Sequence, residues 1–111
     1  MDQNINTRTF SFFKAPISNC TPKKDMTLED AYDHIRRSSY GQTIKLRTLE
    51  EKDAARAYKS GKFDFCTFSG VFTYRDEQHL VRHSGLLCLD FDHLDDIEGH
   101  FKALSQDPRC P

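Results

Sequence analysis

Residues His83 to Leu94, HSGLLCLDFDHL, constrain this chain more than any other stretch. A short apolar run ends there in two aspartates one residue apart, Asp90 and Asp92. The run predicts a strand from Leu86 to Asp92. Side chains alternate along a strand, so Leu87, Leu89 and Phe91 face one side and Leu86, Cys88, Asp90 and Asp92 the other. Two carboxylates roughly 6–7 Å apart on one strand face can close on a single Mg²⁺ or Mn²⁺, or on two neighbouring ions. Hard cations take oxygen ligands, and carboxylates supply them. Two such charges at the end of so apolar a strand are costly without a partner, which marks the pair as a candidate metal site. A plainer reading stands beside it. Asp90 and Asp92 can be the polar end of a strand entering a turn, with Asp95 and Asp96 capping the next helix.

With 111 residues the chain makes one domain at most, with a single modest core. Hydrophobic residues are 37% and charged residues 30%, as in a small soluble domain. A net charge of −1 leaves no global footprint for nucleic acid. Contacts of that kind would rely on local clusters such as Arg36–Arg37, Lys45–Arg47 or Lys59–Lys62, which are ordinarily solvated faces. No apolar run reaches transmembrane length and MDQNINTRTF is too polar for a signal peptide, so a cytoplasmic location away from the membrane is expected.

Cys20, Cys66, Cys88 and Cys110 are widely spread with no C-x-x-C pair, which argues against a structural zinc. Cys66 and Cys88 lie in apolar runs and read as buried free thiols, and disulfides are not expected in a reducing compartment. His79 and His83 stand four apart, but Gly85 and the strand after it argue against a helix, leaving an exposed loop pair.

Thr9 to Phe13 predicts a first strand, ended by Pro16 and the Asn19–Lys24 loop. A helix follows with Thr27 as N-cap and Asp30 at N3, an apolar stripe of Leu28, Ala31, Tyr32 and Ile35, and Arg36–Arg37 near its end. Gly41 breaks that pattern. The polar middle is helical in character, with Leu46, Leu49, Ala54, Ala57 and Tyr58 as an imperfect stripe and Gly61 as a C′ stop. Phe63 to Tyr74, dense in aromatic and β-branched residues, predicts one strand, with Gly70 marking a bulge, a bend or a close approach. Asp95 or Asp96 caps a last helix carrying Ile97, Phe101 and Leu104 on one face, ended by Asp107–Pro108. The loop after Tyr74 has no helical pattern, so the two strong strands should pair antiparallel. The order strand, helix, helix, strand, strand, helix is α+β: a small antiparallel sheet with helices packed on one side. Such a sheet with open edges is a poor place for a domain to stop, and a longer parent protein is expected.

The opening SFFK (Ser11 to Lys14), TFSGVF (Thr67 to Phe72), HSGLLCLDFDHL and LSQDP (Leu104 to Pro108) occur in an order that resembles the N-terminal domain of virulence-associated E (VirE) type proteins of bacterial mobile elements. The resemblance spans nearly the whole chain, 1–111, and the HSG-apolar-DxDHL segment is its most specific part. That family is similar to the archaeo-eukaryotic primase superfamily, whose catalytic core is an RNA-recognition-like α+β sheet. The resemblance implies a role in replicating mobile elements, with nucleic acid and nucleotides as partners and often a helicase further along the chain. It also implies that Asp90 and Asp92 take the positions of an hDhD motif holding Mg²⁺ or Mn²⁺ between nucleotide phosphates and an attacking 3′-hydroxyl. The superfamily's nucleotide-binding His and third acidic position follow that strand, and neither is present before Pro111. VirE-type relatives also continue past the DP with a glycine-rich stretch that this chain lacks. The catalytic set is incomplete, and inactivity of this chain alone as a polymerase is expected.

Two other chemistries use the same spacing. Haloacid-dehalogenase-like phosphatases follow hhhhDxD with Gly and Thr or Val, whereas Asp92 precedes His93 and Leu94. DxD glycosyltransferases need a much larger α/β domain. The closer competitor is a non-catalytic module that docks nucleic acid or a protein and positions a downstream helicase. In it Phe10, Phe12, Phe65, Phe68, Phe72 and Tyr74 could offer stacking platforms, although alternating aromatics on strands are more often core. Ser69–Gly70 and Ser84–Gly85 could likewise turn backbone amides toward phosphates, or be plain turns.

Overall fold

A computed structural model of the protein describes residues 8–37 and 40–110. The chain is α+β. Strand β1 (Phe10–Phe13) lies between β2 (Lys24–Met26) and β3 (Phe65–Thr67) in an antiparallel sheet, and β4 (Gly70–Phe72) pairs antiparallel with β5 (Leu80–His83). Helices α1 (Leu28–Arg37), α2 (Tyr40–Arg47) and α3 (Lys52–Lys62) lie between β2 and β3, and α4 (Ile97–Ser105) comes last.

All four residues of β1 are buried, which requires cover on both faces. Phe10 and Phe12 point to the face where Met26 and Ala31 complete the core, with Leu28, Cys66, Phe68 and Leu86 packed around them. On the other face Phe13 stacks on Phe65 at 4.9 Å between ring centroids. There the Ser11 hydroxyl meets the backbone of Phe72, tying the β4–β5 hairpin to the sheet. Each buried phenylalanine contributes about 1.5–3 kcal/mol by leaving water.

Local signals predicted the starts of α1 and α4. The Thr27 hydroxyl accepts from the Asp30 amide at 3.2 Å while the Asp30 carboxylate accepts from the Thr27 amide at 3.1 Å, a reciprocal cap at the start of α1. Asp96 caps α4, its carboxylate accepting from the Gly99 amide at 3.0 Å. Of the α1 stripe only Ala31 is fully buried, and Tyr32 and Ile35 stay largely exposed. Gly41 lies in the first turn of α2 rather than ending a pattern. Gly61 lies inside α3, which continues to Lys62 before Phe63 turns to extended backbone.

The strand expectations need three corrections. The stretch from Phe63 to Tyr74 is two short strands separated by a turn, not one. Gly70 sits where a side chain would strike the backbone carbonyl of Arg82, so the expected close approach is real. The antiparallel partner of this stretch is Leu80–His83, in the register Gly70 opposite His83 and Val71 opposite Arg82. Leu86–Asp92, the expected strand, has no strand structure. Its lead-in departs from regular pairing at Gly85, whose φ of 81° is a left-handed backbone that glycine accepts readily. Among the described residues no helix is long and apolar enough to cross a membrane.

Candidate metal centre

The segment carrying Asp90 and Asp92 begins from a fixed point. Ser84 is buried, its amide donates to Ser69 O at 2.8 Å, and its hydroxyl donates to Phe68 O at 2.6 Å. The Leu86 amide donates to that hydroxyl at 3.0 Å, and the Leu86 side chain packs on the core. These bonds commit Ser84–Gly85 to a turn rather than to a phosphate cradle. Beyond Leu86 the chain leaves the surface. Leu87 is 83% exposed and Leu89 and Phe91 are more than half exposed.

Asp90 and Asp92 are both exposed. Among the described residues neither carboxylate has a hydrogen-bond or ion-pair partner, and the structure does not bring a third ligand to them. No group of three or more His, Cys, Asp or Glu side chains is gathered for a metal ion among those residues. Cys88, expected to be buried, is exposed with the rest of the segment, while Cys66 is half-buried; both are free thiols. Burial, and secondarily the charge of Asp64, push the Cys66 thiol up to about 11, so it stays protonated at neutral pH. His79 and His83 are exposed as expected; Asp76 holds the ring of the first, and the second accepts from the Gly85 amide at 3.0 Å.

A carboxylate that the motif reading passed over has more partners than either. Asp64, at the foot of β3, accepts from the Ala15 amide at 2.8 Å, from Lys14 Nζ at 3.3 Å, and faces His34 Nε2 at 3.0 Å. Burial alone would raise its pKa, but the Ala15 amide, the Lys14 ammonium and the His34 ring together hold it below the usual carboxylate range. The available signal was a charge between two aromatics, Phe63-Asp64-Phe65, where an unpaired carboxylate would be costly. His34 and Asp64 border a cavity of about 320 Å³ between α1 and the sheet, lined also by Phe12, Met26 and Cys66. Neither Asp90 nor Asp92 lines it.

A wider depression of about 490 Å³ separates β2 from the β4–β5 hairpin, with Lys23, Lys24 and Arg82 on its walls. Arg82 is turned toward Asp25 at 3.8 Å and Thr9 Oγ1 at 2.7 Å, and Lys24 Nζ lies 5.8 Å from the Phe12 ring. Two of its three cations are thus engaged internally. Of the aromatics considered as stacking platforms, Phe10 and Phe12 are core, Phe65, Phe68 and Phe72 are partly buried, and only Tyr74 is well exposed. Comparison of the chain with protein-family models, with curated proteins and with solved structures finds no match.

Proposed function

We propose that this chain is the primase-like N-terminal domain of a mobile-element replication protein, in which Asp90 and Asp92 hold Mg²⁺ or Mn²⁺ for nucleotidyl transfer. One observation carries the reading: the DxD of HSGLLCLDFDHL presents two carboxylates with no internal commitment among the described residues. The cap of α4 is made by Asp96, which leaves the oxygens of Asp90 and Asp92 available to a cation. Two carboxylates fit a hard cation of this kind, since Mg²⁺ keeps several waters and takes one or two carboxylates together with substrate phosphates. The ion would polarise the transferred phosphate and lower the pKa of the attacking hydroxyl. The carboxylates supply position and charge. Nucleic acid, nucleotides and a helicase elsewhere in the parent protein are the partners on this reading, and the cytoplasm is its location.

Mn²⁺ binding followed by electron paramagnetic resonance tests it directly. The chain should bind one or two Mn²⁺ ions, and Asp90→Asn with Asp92→Asn should abolish that binding with the fold intact by circular dichroism. Primer synthesis by the parent protein should fall at least about a hundredfold in the same double variant. Unchanged synthesis and no Mn²⁺ response would reject the metal reading and leave a non-catalytic docking module.

A further inference from the structure

The segment that carries Asp90 and Asp92 continues β5 in its two-stranded ladder with β4 and then leaves it. β4 and β5 pair antiparallel with Gly70 opposite His83 and Val71 opposite Arg82. The ladder continues one step, because the Ser84 amide donates to Ser69 O. Gly85 then takes its left-handed conformation, the geometry of a bulge in which one extra residue is absorbed. Leu86, just past it, lies on the same core cluster as Phe68. Opposed residues of an antiparallel pair share a face, so these two side chains mark the register: Leu86 opposite Phe68. Phe68 leads back directly into β3, an edge strand of its sheet with no strand on its outer side among the described residues.

We propose that Leu86–Asp90 pairs with this free edge of β3, Cys88 opposite Cys66 and Asp90 opposite Asp64, adding Asp64 as a third carboxylate to the Asp90–Asp92 pair. The metal part of this inference rests on the function proposed above; the pairing does not. Three features support it. Alternation from the anchored Leu86 places Cys88 and Asp90 on the face that carries Cys66 and Asp64. The backbone from Leu87 to Asp95 has no backbone hydrogen bond among the described residues, while an edge strand offers a row of them. Pairing also draws exposed Leu87 and Leu89 against the sheet. What opposes closure is equally specific. Asp90 and Asp64 become like charges directly across a ladder, which is destabilising and only partly offset by Lys14, 3.3 Å from Asp64. A divalent cation between them reverses that sign, so ion binding and strand closure are coupled. The device regulates the site: the ligand set is complete only when the strand is formed.

Amide hydrogen exchange on the whole chain, with Mn²⁺ or with EDTA, reads the pairing. In Mn²⁺ the amides of Leu87–Asp90 should exchange at least tenfold more slowly than in EDTA. Asp64→Asn should weaken Mn²⁺ binding about tenfold and, by lifting the like-charge repulsion, leave Leu87–Asp90 equally protected in Mn²⁺ and in EDTA. The native cysteines give a readout without any substitution. Residues opposed across an antiparallel ladder have Cα atoms about 4.5–5.5 Å apart, within the span of a disulfide. In a glutathione redox buffer containing Mn²⁺, peptide mapping should therefore find Cys66 joined to Cys88 in preference to Cys20 or Cys110. Open-chain exchange in both conditions, or Cys88 joining Cys20 or Cys110 as often as Cys66, overturns the pairing. In Asp64→Asn, protection that still depends on Mn²⁺ as in the wild type overturns the role of Asp64. Loss of Mn²⁺ binding on mutating Asp90 and Asp92, with no protection in the wild type, removes this inference and leaves the proposed function standing. Pairing without any Mn²⁺ binding rejects the metal reading and the ligand role of Asp64, and leaves the strand pairing standing.

Discussion

The Ser11 hydroxyl accepts from the Phe72 amide at 2.8 Å and donates to the Phe72 carbonyl at 3.3 Å, from a side chain that is 0% exposed. A single oxygen thus satisfies both backbone groups of one residue on the neighbouring hairpin. Replacing it strands a donor and an acceptor away from bulk water, and each orphan costs about 1–3 kcal/mol. Ser11→Ala should therefore destabilise the chain by at least about 2 kcal/mol in urea denaturation, whereas substituting the exposed Ser69 should stay within about 0.5 kcal/mol.

Asp64 makes the stability of the chain depend on acid. Its folded pKa lies below the ordinary value, so the unfolded chain takes up the proton first as pH falls. The stabilisation is fully present above the unfolded pKa of about 3.9 and is lost as pH drops through the folded value. Melting curves between pH 5 and pH 3 should show a steeper loss for the wild type than for Asp64→Asn. At pH 7 that variant should be less stable by about 1–3 kcal/mol, the scale of a hydrogen bond to a charged group. Parallel slopes would show that the Lys14, Ala15 and His34 contacts do not persist in solution.

The reciprocal cap at the start of α1 gives a coupling that can be measured. Thr27→Ala and Asp30→Ala each remove one of its two hydrogen bonds, at a cost of about 0.5–2 kcal/mol for the cap residue. The two bonds fix the same turn, so the double variant should lose less than the sum of the singles. Strict additivity in a double-mutant cycle would mean that the cap is not formed as a unit.

Where the sequence could be read correctly, the physics was local. Thr27 with Asp30, and Asp96 ahead of Gly99, satisfy helix amides a few residues away, so the information sits within one turn. The aromatic density from Phe63 onward marked β structure, and Gly70 marked the close approach to Arg82. The break between β3 and β4 was less accessible, because it arises from what each half packs against: β3 against β1, and β4 against β5. Leu80–His83 was passed over as a strand in favour of the more apolar Leu86–Asp92. Its pairing is decided by the register around Gly70 rather than by its own exposed residues.

The sequence by itself determined the α+β class and the capped starts of α1 and α4. Those follow from spacing and short-range hydrogen bonding. Only the tertiary structure decided that β1 is covered on both faces, that Asp64 is held by Lys14, Ala15 and His34, and that the DxD segment leaves the sheet at Gly85. Each of these depends on groups tens of residues apart meeting in space, and no local pattern encodes which edge a strand will join.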